Sequence, residues 1–404
     1  MGGGIAALVA SMGIPVVLLD IAADGDDPNA TVNALWAKQR KATNAAPVTL
    51  GNTTHNFDLL RGCDWIVEAV IEQLEPKQQL MARLEAVRAP HAIISSNTSG
   101  IPISQIGARC SAAFQQHFLG THFFNPPRLL KLLELIPTAH TAPAVTHFMQ
   151  AFGTQRLGKG VVICNDTPGF IGNRIFAYAM QVRMRAALAL GLSVAQVDAL
   201  TGPLIGNPKT ATFRLMDLVG LDVLLNVVRN QHAALLHDEC RAEFEPSAVL
   251  QHLVAERKLG NKSGAGFYQI DSSGHSQAFN LQSWRYEPMP LHTSPLLAET
   301  ASIANLPARL RAIFARTDTE AQYLINTTLQ ILAYAARRIP EVANSFADID
   351  NAMRWGFNVA LGPFEMWDAL GLSATRAMMQ ARNIAVPTWV DDVLARGHTH
   401  FYSN

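Results

Sequence analysis

A chain of 404 residues with 49 % hydrophobic and 16 % charged side chains can bury more than one core, which predicts two or three domains. Its 32 basic residues balance 32 acidic ones, leaving no global field to draw in nucleic acid or an anionic membrane, so a small-molecule partner is expected. Cys63, Cys110, Cys164 and Cys240 lie far apart with no CxxC spacing, which argues against a zinc cage or a disulfide framework and fits a reducing cytoplasm.

The opening run MGGGIAALVASMGIPVVLL is apolar but lacks a basic flank and is interrupted by Pro15, so it reads as folded interior and not as a signal peptide or a membrane span. Its glycines, with Gly2 and Gly4 foremost, lead into a helix and a strand, VVLLD, that ends in Asp20. Such glycines let a backbone approach a pyrophosphate at a helix N-terminus, or simply form a flexible end. An acid at the end of the next strand either caps a turn or holds ribose hydroxyls. Further apolar runs of strand length follow at 65–70 (WIVEAV), 92–96 (AIISS), 114–118 (FQQHF), 133–136 (LELI) and 161–164 (VVIC), separated by helical stretches. This alternation predicts a parallel sheet covered on both faces, an α/β nucleotide-type domain over residues 1–166. From Phe170 onward the apolar spacing is helical, and a helical domain is expected over 167–270, a linker over 271–310 and a further helical domain over 311–404. The two helical segments form an internal repeat: VDALTGPLIGNPKTATFRLMDLVGLD (197–222) parallels IDNAMRWGFNVALGPFEMWDALGL (349–372).

Four stretches carry candidate chemistry. VEAVIEQLEPKQQL places Glu72 and Lys77 at a strand-to-helix junction, where open α/β sheets bind ligands and where a solvated charged helix start is equally at home. SNTSG (96–100) puts Asn97 and Ser99 directly after an apolar strand. GTHFFNPPRLLKLLELI holds His122, Asn125 and Glu134 about a Pro-Pro turn. Glu134 inside LLELI is costly to bury without a partner, and a nearby histidine supplies one: a base whose cation a carboxylate stabilises. DTPGFIGNR sets Asn173 on the first turns of the helical region, as a cap or as an amide reaching a cleft.

In this order, MGGGIA, VEAVIE with Lys77, SNTSG, THFFNP with LLELI, DTPGFIGNR, GNKSGAGFYQ and LGPFE, the motifs resemble the 3-hydroxyacyl-CoA dehydrogenase family over essentially the whole chain. The resemblance implies a Rossmann-type domain followed by two related all-α C-terminal domains. It also implies NAD-dependent oxidation of an (S)-3-hydroxyacyl-CoA to the 3-ketoacyl-CoA, a step of fatty-acid β-oxidation, with no metal. His122 would be the general base, Glu134 its orienting partner, and Ser99 and Asn173 hydrogen-bond donors to substrate oxygens. Gly2, Gly4, Asp20, Glu72, Lys77, Asn97 and Asn125 match cofactor positions. The second-copy residues Asp350, Gly362, Phe364 and Asp368 are expected to serve packing and loop geometry.

Two departures qualify the resemblance. The family's GxGxxG follows a first strand, whereas this sequence opens at the methionine before the last of those glycines, so an N-terminally truncated sheet is expected. The duplicated helical region is similar to the dehydrogenase part of bifunctional proteins, implying a homo-oligomer or association with an enoyl-CoA hydratase domain or subunit. Competing readings are a dehydrogenase of a free hydroxy acid with the same fold, and a subunit that kept the fold and lost catalysis.

Overall fold

Gly2, Gly3 and Gly4 lie inside the first turn of a helix, α1 (Gly2–Ser11). Its close packing explains them: a Cβ on Gly3 would come 3.1 Å from Leu35, and one on Gly4 would come 3.1 Å from the Pro127 ring. The structure, a computed structural model, describes residues 1–39, 46–289 and 294–402, and it divides into two units, Met1–Phe170 and Ile171–Asn404.

The first unit continues with β1 (Val16–Asp20), α2 (Ala30–Ala37), β2 (Val48–Asn52), β3 (Trp65–Glu68), α3 (Leu74–Val87), β4 (Ile93–Ser96), α4 (Ile103–Gly107) and α5 (Ala112–Gln115). It closes with β5 (Phe118–Phe123), β6 (Leu132–Pro137), α6 (Pro143–Ala151) and β7 (Gly160–Ile163). Strands β1 and β2 pair in parallel, and a separate five-stranded sheet runs β3-β4-β5-β6-β7. Helix α1 serves both sheets. Its Ile5, Leu8 and Val9 pack with Ile93, Leu119 and Leu133, while Ala6 packs with Leu18 and Val32. The expected α/β Rossmann-type architecture is present, with three differences.

The run FQQHF, expected as a strand, is divided: Phe114 and Gln115 end α5, Gln116 and His117 turn, and only Phe118 is in a strand. The Ser111 side chain caps that helix by accepting from the Phe114 N–H, and the strand begins only at Phe118. The sheet is not wholly parallel, because β5 and β6 form an antiparallel hairpin, and that hairpin brings His122 opposite Glu134. Strand β2 has no counterpart among the expected strands. Its sequence, VTLGN, has little apolar weight and only its last two residues are buried.

The second unit comprises α7 (Gly172–Leu190), α8 (Val194–Thr201), α9 (Phe213–Val219), α10 (Leu221–Ala234) and α11 (Ala248–Ala255). These are followed by β8 (Tyr268–Ile270), β9 (Ser276–Phe279), β10 (Tyr286–Pro288), α12 (Pro295–Thr300), α13 (Leu306–Phe314) and α14 (Thr319–Arg337), then α15 (Phe346–Phe357), α16 (Pro363–Leu370), α17 (Leu372–Ala381) and α18 (Thr388–Ala395). The expected helical domains are present, and β8, β9 and β10 add a small antiparallel sheet, with β8 at the end of the stretch expected as helical and β9 and β10 in the stretch expected as linker. That sheet has its own apolar contact, Phe279 against Tyr286 at 5.4 Å, and the Tyr286 hydroxyl donates to the Gly266 carbonyl at 2.5 Å. The long helices end as their sequences dictate: α7 stops at Gly191, which takes the left-handed conformation (φ 68°), and α14 starts at Asp318, whose carboxylate accepts from the Ala321 N–H. No helix among the described residues is long and apolar enough to cross a membrane.

The repeat is written in carboxylates. Asp198 accepts from the backbone N–H groups of Thr212, Phe213 and Arg214 and from the Tyr268 hydroxyl. In the second copy Asp350 accepts from the N–H groups of Phe364 and Glu365 and from the Tyr402 hydroxyl. Asp217 takes the N–H groups of Phe267 and Tyr268, and Asp368 takes those of Phe401 and Tyr402. Gly362 is fixed by this arrangement, because a Cβ there would lie 2.4 Å from Asp350.

Candidate active site

Residues His122 and Glu134 face each other across the antiparallel β5–β6 ladder, and His122 Nδ1 lies 2.6 Å from Glu134 Oε2. Both are buried, at 4 % and 0 % exposure. A carboxylate beside Nδ1 selects the tautomer that carries its proton there, which leaves Nε2 with a lone pair. The rings of Phe124 and Phe170, with centroids at 4.7 and 5.7 Å, flank the imidazole and fix its plane. This is the constellation of a base held by an orienting acid.

A second buried charge cluster stands where β3 and β4 end. Glu68, the last residue of β3, accepts from Lys77 Nζ at 2.8 Å, from the Ser96 hydroxyl at 2.5 Å and from the Val70 N–H at 2.6 Å. Lys77, only 1 % exposed, also pairs with Glu72 at 3.3 Å. Glu72 in turn accepts from the Thr98 hydroxyl and from the N–H groups of Ser99 and Gly100. Partial burial opposes the Glu72 charge, but the Thr98 hydrogen bond, the Lys77 ammonium and the Ser99 N–H together hold its carboxyl below the ordinary range. Asn97 ties this cluster to the histidine strand. Its N–H donates to the Glu68 carbonyl and its side-chain oxygen accepts from the Phe123 N–H, next to His122.

Sequence reasoning singled out Glu72, Lys77, Asn97 and Ser99 but missed Glu68 and Ser96, which hold them. An acid within the apolar run WIVEAV, nine residues before a lysine, was the available signal. The remaining candidates are placed as follows. Gly2 lies beside Ala69, just past β3, since a Cβ on Gly2 would sit 3.7 Å from that of Ala69. The first N–H groups of α1 thus open at the end of β3. Asp20 ends β1 and accepts from the Ile21 N–H at 2.7 Å. Asn125 is exposed in the β5–β6 connection. Asn173 is on the first turn of α7, in the second unit.

These features have matches among known proteins. Residues 1–167 match the model of the 3-hydroxyacyl-CoA dehydrogenase NAD binding domain, and residues 169–270 and 324–396 match that of the same enzyme's C-terminal domain. The chain belongs to the 3-hydroxyacyl-CoA dehydrogenase family. A Bacillus subtilis protein named "Probable 3-hydroxyacyl-CoA dehydrogenase" is 37 % identical over 100 % of this chain and 54 % of its own length. A Rickettsia felis protein, provisionally named as a fatty acid oxidation complex trifunctional enzyme, is 33 % identical over 91 % of this chain and 51 % of its own. The chain thus spans about half the length of these curated relatives. The crystal structure of 3-hydroxybutyryl-CoA dehydrogenase from Escherichia coli K12 shares the fold, with a TM-score of 0.68 and 23 % identity over 97 % of this chain and 95 % of that one.

As a member of this family the chain takes NAD in its first unit, and the residues there suit a dinucleotide. Glycines open α1 at the end of β3, an acid ends β1, and the Glu72–Lys77 pair lies where β3 leads into α3.

Proposed function

We propose that this chain oxidises the hydroxyl carbon of a 3-hydroxyacyl-CoA to a ketone, reversibly and with NAD, as a step of fatty-acid β-oxidation. The observation that carries this reading is the buried His122–Glu134 pair. When bound, NAD supplies the hydride acceptor. His122 Nε2 takes the hydroxyl proton, and the resulting imidazolium is stabilised by Glu134 at Nδ1, so the proton is accepted without leaving a lone cation in an apolar site. Ser99 and Asn173 are proposed to hold the substrate oxygen, and Asp20, Glu72, Lys77, Asn97, Asn125 and the α1 glycines, Gly2 and Gly4, to hold the cofactor.

The half-length match supports the further proposal that the chain works beside an enoyl-CoA hydratase domain or subunit. The wide spacing of its four cysteines, with no CxxC pair, supports the proposal that it acts in the cytoplasm. The test is NADH consumption with acetoacetyl-CoA, set beside consumption with a free hydroxy acid's ketone. Turnover of the thioester that His122→Gln abolishes is expected. Turnover of the free keto acid alone would overturn the thioester assignment.

A further inference from the structure

The second unit holds a pocket that the proposed reaction does not use. It encloses about 690 Å³ of empty space, its open mouth included, between helices of the two copies. Phe176 and Met180 of α7, Ile331 of α14, Met353 and Phe357 of α15 and Met366 of α16 give it an apolar wall. Phe176 and Phe357 stack at 4.6 Å with their planes 10° apart, so the wall is rigid where the copies meet.

One charged side chain, Arg183 of α7, lines the same pocket. Its guanidinium makes no hydrogen bond or ion pair among the described residues. Nearby arginines contrast with it: Arg174, on the same helix, is bonded to Tyr334, Asp238 and Glu341. The acid that Arg183 feels electrostatically, Asp198, is already committed to three backbone N–H groups and the Tyr268 hydroxyl. Tyr323, the other group acting on it, bonds through its hydroxyl to the Arg183 carbonyl. A cation held in apolar surroundings without a counter-charge is costly, and its forked donors match a carboxylate in two parallel hydrogen bonds.

We infer that this pocket binds an unesterified fatty acid, with the alkyl chain along the Phe176, Met180, Met353 and Phe357 wall and the carboxylate on Arg183. The chain supplies the apolar area and the carboxylate supplies the missing counter-charge. An alkyl ammonium would meet like charge, and an alcohol of equal length would leave the guanidinium without its partner. The site is a binding site within the helical unit and stands whether or not the proposed oxidation is right.

The test is titration calorimetry of the full chain with dodecanoate, dodecanol and dodecylammonium, each kept below its micelle concentration. Dodecanoate is expected to bind at a single saturable site, at least about tenfold more tightly than dodecanol, the worth of one charge-assisted hydrogen bond. Arg183→Met should erase that preference while keeping dodecanol binding, and Ala179→Leu, which fills the apolar wall, should weaken both ligands. Equal affinity for dodecanoate and dodecanol in the unaltered protein, or an unchanged preference in Arg183→Met, overturns the inference. If Arg183→Met fails to fold, the head-group series on the unaltered protein still decides it.

Discussion

Both units bury carboxylates, but they give them different company. In the first unit Glu134 meets an imidazole and Glu68 meets an ammonium, so each acid is opposed by a side chain that carries or can gain charge. In the second unit Asp198, Asp217 and Asp350, together with the half-buried Asp368, meet backbone N–H groups and tyrosine hydroxyls, which hold the start of a helix or the return of a loop. Burial of an acid is therefore no guide to its use. A partner that can change its own protonation marks chemistry, and a ring of backbone donors marks architecture.

The comparison breaks most sharply at His122. In the thioester assay His122→Gln should lower kcat by about a hundred- to ten-thousand-fold, with melting temperature little changed. An equal loss of stability would place the pair with the architectural acids. Asp198→Ala is the converse, leaving two buried N–H groups, a part-buried one and a hydroxyl unpaired. It should cost about 3–5 kcal/mol in denaturant unfolding, with activity per folded molecule retained. Glu134→Gln should lower kcat about a hundredfold, because an amide can neither select the Nδ1 tautomer nor stabilise the cation. Glu68→Gln frees Lys77 and should raise the NAD dissociation constant by about tenfold, measured by calorimetry, with a smaller effect on kcat.

The last effect is spread over a range of pH. Burial, opposed by hydrogen bonds from Phe364, Tyr402 and Glu365, raises the Asp350 carboxyl to about 7. Its folded pKa thus lies above the unfolded value, so the folded chain binds the extra proton. The stability this contributes is full below about pH 4 and is lost as pH rises through 7. Melting curves of the unaltered protein and of Asp350→Asn should therefore diverge between these limits, by at most about 1.4 kcal/mol per pH unit. Parallel curves would show that the backbone donors keep the acid ionised throughout.

How much of this was legible follows from what each residue must satisfy. Strands such as VVLLD and IISS declare themselves because, Asp20 apart, every position is apolar or small and the runs are short. VTLGN does not, since its pairing with β1 comes from tertiary context. The site was legible where a residue is out of keeping with its run: Glu134 within LLELI asks for a partner, and His122 lies within reach. The register that puts the two opposite each other was not, because FQQHF competes as a strand until the Ser111 cap is seen. The repeated aspartates were visible as a pattern, but their closing partners, Tyr268 and Tyr402, sit 70 and 52 residues downstream, where no local period points.

The stacking of α7 on α14 has a consequence of a different kind. Tyr178 and Tyr334 lie face to face at 3.8 Å, and Arg174 reaches across to Glu341. The two helical copies are thus mates joined by their own backbone, and their association is intramolecular. Its effective concentration is fixed by the connecting chain, so dilution, which separates ordinary pairs of subunits, leaves this pair together.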